Sequence, residues 1–291
     1  MKNVFPSKIG LLAFLLICVS TFITSCKKET LVDSNQSPKI APPKPLDTVY
    51  YQWGDLSISR SNITDIIQYD NTGKISKITS IYSVGQLARV VNFTYQDNKI
   101  TLDTDMKDIY TLDESGRVVS HQSTEVQNGL TFTETQTYNY DSNGYLSTIP
   151  MSVNGTVYST INYKVANGNY TSYVLSNTSD GKITREYDFT YGNTKATSPI
   201  SLFTPVFGDN TYVAVEKYLN FGKQSVNTIS GINYTIANEN GTVSKGTLPA
   251  TSQVDTDGNL TGLDLSSGTY INAFPSDNLS PLPRSVRFVY K

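Results

Sequence analysis

The sequence predicts an all-β fold: a long, curved antiparallel meander or partly closed barrel built from irregular hairpin repeats. Three observations predict it. Apolar residues alternate with a period of two, short Asp- or Asn-containing glycine turns separate the alternating runs, and rings are plentiful while charge is sparse. The 291 residues include 20 tyrosines and 11 phenylalanines, and only 16% are charged. Thr and Tyr suit half-buried strands, and this aromatic content opposes disorder.

The first element lies outside the fold. Residues 1–25 read as a secretion signal: Lys2 and Lys8 give a positive start, and Ile9 to Val19 is almost wholly apolar. That run is short for a membrane span, which needs about 20 apolar residues. Ile23-Thr24-Ser25-Cys26 resembles the lipobox of bacterial lipoproteins, which implies cleavage after Ser25 and acyl chains on Cys26. One chain anchors only marginally, at about 0.8 kcal/mol per buried CH₂, so a lipoprotein carries several. The other cysteine, Cys18, leaves with the signal, so the mature chain has no thiol for a disulfide, a catalytic dyad or a metal.

Residues 26–47 read as the lipidated cysteine and its tether. Pro38, Pro42, Pro43 and Pro45 favour an extended form. Lys28-Glu29 resembles the surface-export tag of Bacteroidetes lipoproteins, although Thr30 interrupts the acidic run that tag prefers. The expected location is therefore the outer membrane, lipid-anchored and facing the cell surface, with the periplasmic face as the alternative. Without the signal the chain keeps 25 acids against 21 bases, a formal charge of −4. Nucleic acid is excluded as a partner because no basic stripe exists. The expected partners are the bilayer, through acylated Cys26, and a polysaccharide or an envelope protein.

Residues 48–291 read as the repetitive β domain, with a subdivision near 198–210 where Pro199 and Pro205 mark a connecting or capping loop. Val91, Phe93 and Tyr95 share one strand face, as do Val157, Ser159, Ile161, Tyr163 and Val165. Ile183, Arg185, Tyr187, Phe189 and Tyr191 form a third such set, and Val286, Phe288 and Tyr290 a fourth. No amphipathic helix is evident; 262–274 has room for one short turn.

Between these runs come Asp70–Gly73, Asp113–Gly116, Asp141–Gly144, Asp180-Gly181 and Asp255–Gly258, with variants at Asp97-Asn98, Asn167-Gly168, Gly192-Asn193 and Asn240-Gly241. Such turns reverse a chain tightly: the Asp or Asn side chain bonds the amides ahead of it, and Gly accepts the left-handed conformation. The irregular spacing of the glycines gives a loose hairpin repeat. A meander that long has to curl to hide its aromatic face.

The recurrent unit, as in "YNYDSNGYL" and "QYDNTGKI", resembles the YD/RHS-type repeats of bacterial surface proteins. With the lipobox, the whole pattern resembles the Bacteroidetes surface lipoproteins with porin-like sheets, the DUF4595 type. Phe221, Gly222, Lys223, Ser225 and Asn227 match a Phe-Gly-Lys-x-Ser-x-Asn segment of that family, while Val254 stands where its second-half turn unit has an aromatic residue. The resemblance covers roughly 60–291 and brings no catalytic positions.

Chemistry is thinly represented. His121 is the one histidine, so any Ser-His-Asp triad would need it, and a histidine zinc site lacks further ligands. Asp70, Asp113, Asp141, Asp180 and Asp257 fit turns. Glu125, Glu134, Glu186 and Glu216 lie in strand-like runs and are the better acid/base candidates for a glycan hydrolase, but nothing in the sequence pairs them. Asp255, Asp257 and Asn259 alternate as calcium ligands do, but Ser266 stands where a calcium loop has its bidentate Glu. Gly222-Lys223 lacks the lead-in of a phosphate loop. Trp53, with Tyr50 and Tyr51, is the candidate set for stacking on a ligand, set against a core or end-capping role. The reading is therefore a lipid-anchored, non-enzymatic scaffold or binding module with no cofactor. Its alternatives are a glycan-binding lipoprotein and a carboxylate-dependent hydrolase.

Overall fold

In the computed structural model the described residues are 44–52, 62–82, 85–104, 108–198, 200, 215–237, 241–265 and 285–291. Strands β1 (Leu46–Gln52), β2 (Asn62–Tyr69), β3 (Ile75–Tyr82) and β4 (Leu87–Gln96) run up and down as antiparallel neighbours. Midway along, β4 changes partner: Leu87–Asn92 bonds β3, and Phe93–Gln96 bonds β5 (Lys99–Leu102). The meander continues through β6 (Asp108–Leu112), β7 (Val118–Gln127) and β8 (Leu130–Thr137), and the two-residue β9 (Asn139–Tyr140) prolongs β8 along β10 (Leu146–Val153).

Four longer strands follow in order: β11 (Thr156–Ala166), β12 (Asn169–Asn177), β13 (Ile183–Lys195) and β14 (Asn227–Ala237). Next, β15 (Val243–Pro249) passes through Ala250 into β16 (Thr251–Val254), which pairs with β17 (Leu260–Asp264), and β17 pairs with β18 (Ser285–Tyr290). Strand β18 returns to the start, pairing with β1 from Leu46↔Tyr290 to Gln52↔Ser285. A split lies between the first residues of β14 and β16. Thr197 fills it by bridging Asn259, its amide donating to Gly258 O and its carbonyl accepting from Leu260 N. The result is a partly closed barrel.

The repeated turn has a shared geometry. At Asp70, Asp113, Asp141 and Asp255 the carboxylate Oδ1 accepts the amides two and four residues ahead, at 2.8–3.0 Å. The Asp carbonyl accepts the amide of Gly73, Gly116, Gly144 or Gly258, and each glycine has φ between +74° and +86°. A side chain there would be strained. By the up-and-down order all four turns lie at one end of the barrel, together with the start of β1 and the end of β18, where Lys291 N donates to Pro45 O. Asp180 caps a different turn at the opposite end, where Asn177 N bonds Lys182 O.

Two boundaries differ from the sequence reading. Gly192-Asn193 lies within β13 rather than at a turn, because the irregular pairing after Tyr191 lets the strand continue to Lys195. The fold also takes in the end of the stretch read as tether: β1 starts at Leu46, and Lys44 forms ion pairs with Asp255 and Asp257. Pro42–Lys291 groups as one compact unit, and the subdivision read near 198–210 falls almost wholly outside the described residues. Most of 199–210 and of 262–274 lies outside the described residues.

Alternation decides what faces in. Val91 and Phe93, Ile161 and Tyr163, Tyr187 and Phe189, Val286 and Phe288 are all buried in one continuous core. Their neighbours Asn92, Thr94, Asn162, Lys164, Asp188, Thr190 and Asn233 are exposed. Membrane-spanning barrels show the opposite arrangement, with apolar residues outward. Inside, Tyr163, Tyr173, Tyr187 and Tyr234 stand opposite one another across β11–β14, and Gly246 of β15 ends the row. The rings of the first three meet edge-on, with centroids 5.5 Å apart.

Candidate functional site

The most elaborate polar arrangement fastens a strap, residues 217–227, across the end that carries the four Asp turns. A short 3-10 turn, Val215–Tyr218, leads into it. The Asn220 carbonyl accepts Val118 N at 2.8 Å, Lys223 N donates to Gly144 O at 3.0 Å and Val226 N donates to Gly168 O at 3.1 Å. The strap thus crosses the starts of β7, β10 and β12 before becoming β14. Phe221 is fully buried against the Tyr138 ring, 4.9 Å between centroids.

Gly222 adopts φ +79°, and a Cβ there would fall 2.5 Å from Gly144 O. Ser225 Oγ accepts Tyr170 N at 3.0 Å and contacts Tyr191 Oη, whose own proton goes to Tyr170 O at 2.6 Å. Asn227 and Asn169 exchange two bonds, amide to side chain and side chain to side chain. The Phe-Gly-Lys-x-Ser-x-Asn residues are therefore strap residues, each with a packing or bonding reason.

At the strap's first end lies a buried charge pair. Asp65 of β2 has no exposed surface; Ser80 Oγ donates to its Oδ1 at 2.7 Å and Tyr218 Oη to its Oδ2 at 2.8 Å. Lys217 Nζ is 3.3 Å from the same Oδ2 and sits 3.7 Å above the Tyr51 ring. Tyr51 Oη and Tyr218 Oη are 3.0 Å apart. Burial first, then the negative Asp65, pushes both phenols well above the usual tyrosine range. The carboxylate and ammonium satisfy each other here, which suits a fastening more than catalysis.

The stacking set is not brought together on one face. Tyr51 points inward under Lys217, Tyr50 is 47% exposed on the other face of β1, and Trp53 lies outside the described residues. His121 is buried, stacked on Tyr110 at 4.4 Å, with Nε2 2.8 Å from Asp108 Oδ1. The alternating acids of the calcium-like loop are engaged: Asp255 takes two amides and the Asn259 side chain, and the Lys44 ammonium supplies the cation. Ser266, the Glu216 side chain and Cys26 lie outside the described residues, and among the described residues no group of three His, Cys, Asp or Glu could hold a metal.

Two of the candidate acids do approach. Strand register puts Ser123 opposite Glu134 and Glu125 opposite Phe132, so Glu125 and Glu134 are diagonal neighbours on the inner face of the β7–β8 arm. The sequence shows no signal for this, since it depends on the hairpin's register. The arm is open to water, with Val126 66% and Leu130 63% exposed. A glycosidase general acid needs the desolvation this arm lacks. Glu186 lies on β13, away from both.

The sequence matches no family model and no curated protein. Among solved structures, a porin-like protein from Bacteroides uniformis aligns with TM-score 0.57 at 18% identity, over 86% of this chain and 99% of that one. Its fold is porin-like. A porin-like protein from Bacteroides vulgatus aligns with TM-score 0.51 at 13% identity, over the same shares of each chain. At this identity the likeness concerns the porin-like backbone path, and the faces are set by this chain's own residues.

Proposed function

We propose that this protein is a lipid-anchored, non-enzymatic component of a Gram-negative cell envelope, a scaffold or binding module held at the outer membrane through acylated Cys26. The observation that carries the reading is the placement of polarity. Most described outer-face positions of β11–β14 are polar. On β18 and β1–β4 exposed apolar residues such as Tyr50, Ile66, Val90 and Val289 are interspersed with polar ones, and the interior is filled by apolar and tyrosine side chains. A packed apolar interior supports a body that stands outside the bilayer, and on this reading the attachment is the acylated Cys26 that the sequence offers. Support for the envelope comes from the signal-like residues 1–25 and from the porin-like fold of two Bacteroides proteins. Membership of the DUF4595-type lipoproteins, with YD-like units, is part of the same proposal.

The test is metabolic labelling with a palmitate analogue. The wild-type chain should take up label and fractionate with outer membranes, reachable by a protease added to whole cells. Cys26→Ser should lose label and be released as a soluble protein. Label or membrane retention in that variant refutes the anchor, and protease resistance in intact cells moves the protein to the periplasmic face.

A second reading, glycan binding, is favoured by one observation: two partly exposed rings flank Glu134, with Phe132 37% and Tyr158 42% exposed.

A further inference from the structure

Glu134 is held in place by a chain of hydrogen bonds that starts in the core. Buried Tyr138 donates to Gln136 Oε1 at 2.9 Å, and Gln136 Nε2 donates to Glu134 Oε1 at 3.4 Å. From the other side Tyr158 reaches across β10 and donates to the same Oε1 at 3.0 Å. A carboxylate only accepts, so the nitrogen of Gln136 is the atom that faces it. Two groups are then left over. Glu134 Oε2 takes no bond from the described residues, and Gln136 Nε2 keeps its second hydrogen. An acceptor beside a donor matches a hydroxyl, which gives one hydrogen and takes another. An ammonium group has no acceptor to offer, and a carboxylate has no hydrogen.

The flanks supply the apolar half. Phe132 is two residues from Glu134 on the same face of β8, about 7 Å away along the strand. Tyr158 lies on the other side, and both rings are partly exposed. A pyranose has flat C–H faces that lie against rings and hydroxyls at its rim that bond a carboxylate and an amide. Ring, acceptor and ring on one open strand surface therefore suit consecutive sugar units. The rows through the two polar groups read Ser123–Glu134–Val153 and His121–Gln136–Met151. They hold no Lys or Arg, and His121 is paired with Asp108. A sugar carrying carboxylate or sulfate would meet the Glu134 charge without a cation beside it.

We propose that the inner face of β8, with Tyr158 of β11, binds an uncharged glycan: Glu134 Oε2 and Gln136 Nε2 bond sugar hydroxyls, and Phe132 and Tyr158 lie against the sugar faces. This rests on the glycan-binding reading above and names its ligand class. No bond is made or broken.

The experiment is calorimetric titration of the full-length protein, in a detergent without a sugar headgroup, with cellohexaose, the glucosamine hexamer and the galacturonic acid hexamer. Cellohexaose should bind, the galacturonic acid hexamer at least about tenfold more weakly, and the glucosamine hexamer no better than cellohexaose. Raising the salt should leave the cellohexaose affinity nearly unchanged. Glu134→Gln replaces a charge-assisted bond by a neutral one and should weaken binding about tenfold. Phe132→Ala should weaken it by a similar factor through the lost ring. Tyr50→Ala, on the outer face of β1, should bind as wild type. Full affinity in Glu134→Gln, whose strands circular dichroism shows to be intact, overturns the proposal. Tighter binding of either charged hexamer overturns the uncharged ligand and leaves the glycan-binding reading standing. No binding of any of the three overturns both. None of these outcomes bears on Cys26, so the anchor reading stands or falls separately.

Discussion

Lys217 Nζ lies 3.3 Å from Asp65 Oδ2, and both side chains are buried inside the wall formed by β1, β2 and β3. Lys217 belongs to the strap and Asp65 to the first hairpin, 152 positions earlier. The contact ties the strap back to the first hairpin of the barrel. Because the charges are shielded from water, each depends on the other.

Asp65→Ala leaves the Lys217 ammonium buried without its counter-ion, and should cost about 3–5 kcal/mol. Adding Lys217→Met to Asp65→Asn removes both charges and should recover most of that loss, as the amide oxygen keeps one acceptor and the Asn Nδ2 donates to the hydroxyl that loses its own. Urea unfolding followed by circular dichroism checks this. Equal losses in the single and double variants would show that the pair does not hold the strap.

Gly222→Ala places a methyl group 2.5 Å from the Gly144 carbonyl and 2.9 Å from the Tyr140 ring, at a positive φ. The strap must lift or the turn must shift, so a destabilisation of about 1–3 kcal/mol is expected. Hydrogen exchange should show faster exchange at Lys223 and Val226, whose amides bond Gly144 and Gly168. Unchanged protection there would mean that the strap tolerates the side chain.

Much of the fold could be read from residue order because its determinants are local. The Asp turn is written within five residues, and alternation shows in runs of six, so both hairpin ends and inward faces follow from short windows. Asp65 has no such mark: in "NITDIIQY" it reads as one polar residue among β-branched ones, and only the strap, more than 150 positions away, supplies its partner. The Glu125–Glu134 diagonal is invisible for a related reason, since it depends on a two-residue Asn128-Gly129 turn setting the register of β7 on β8. Gly192 was misleading because a glycine-asparagine pair in sequence does not distinguish a turn from a bulged strand. Tyr50 and Tyr51 are adjacent, so strand geometry sends them to opposite faces.

Gly246→Ala tests the tyrosine row. A Cβ at this position would come within 2.6 Å of the Tyr234 Cζ, so the ring now lies directly on the glycine. Tyr234 would have to leave its place opposite Tyr187, at an overpacking cost of about 1–3 kcal/mol. The combined change Gly246→Ala with Tyr234→Val should be milder than the first substitution alone, by thermal denaturation. No difference between them would place the strain elsewhere.

The Asp turns predict an acid limb. Bonds from the Thr72 side chain and the Lys74 amide hold Asp70 below the usual carboxylate range, and the Asn259 side chain and amide do so for Asp255. At Asp113 partial burial pulls upward, but the Arg117 amide and guanidinium prevail and the value is lowered. The unfolded value is about 3.9. The folded state therefore binds fewer protons just below it, so this stability is complete above about pH 4 and drains away as pH falls through the folded values. Replacing the three by Asn keeps an acceptor for the two amides and removes the titration. The variant should lose less melting temperature than wild type between about pH 4 and pH 2, even if it starts lower. Parallel curves would rule these turns out as the source of the acid sensitivity.

The interior rings predict an alkaline limb of opposite sign. Burial pushes Tyr95, Tyr187 and Tyr191 up to about 12, and drives Tyr163 well above the usual range. Their unfolded value is about 10. A phenol with a raised folded value contributes stability that is complete below its unfolded value and is lost as pH climbs from the unfolded value towards the folded one. Exposed tyrosines should ionise first, giving a gradual rise in tyrosinate absorbance while the β signal persists. The buried ones should then ionise together as the barrel opens, so a steep second rise should coincide with loss of the strand signal in circular dichroism. Adding urea should move that second step to lower pH and leave the first in place. A single smooth titration of all the tyrosines with the strands intact would mean that the rings of β11–β14 meet water, and the filled interior on which the scaffold reading depends would be wrong.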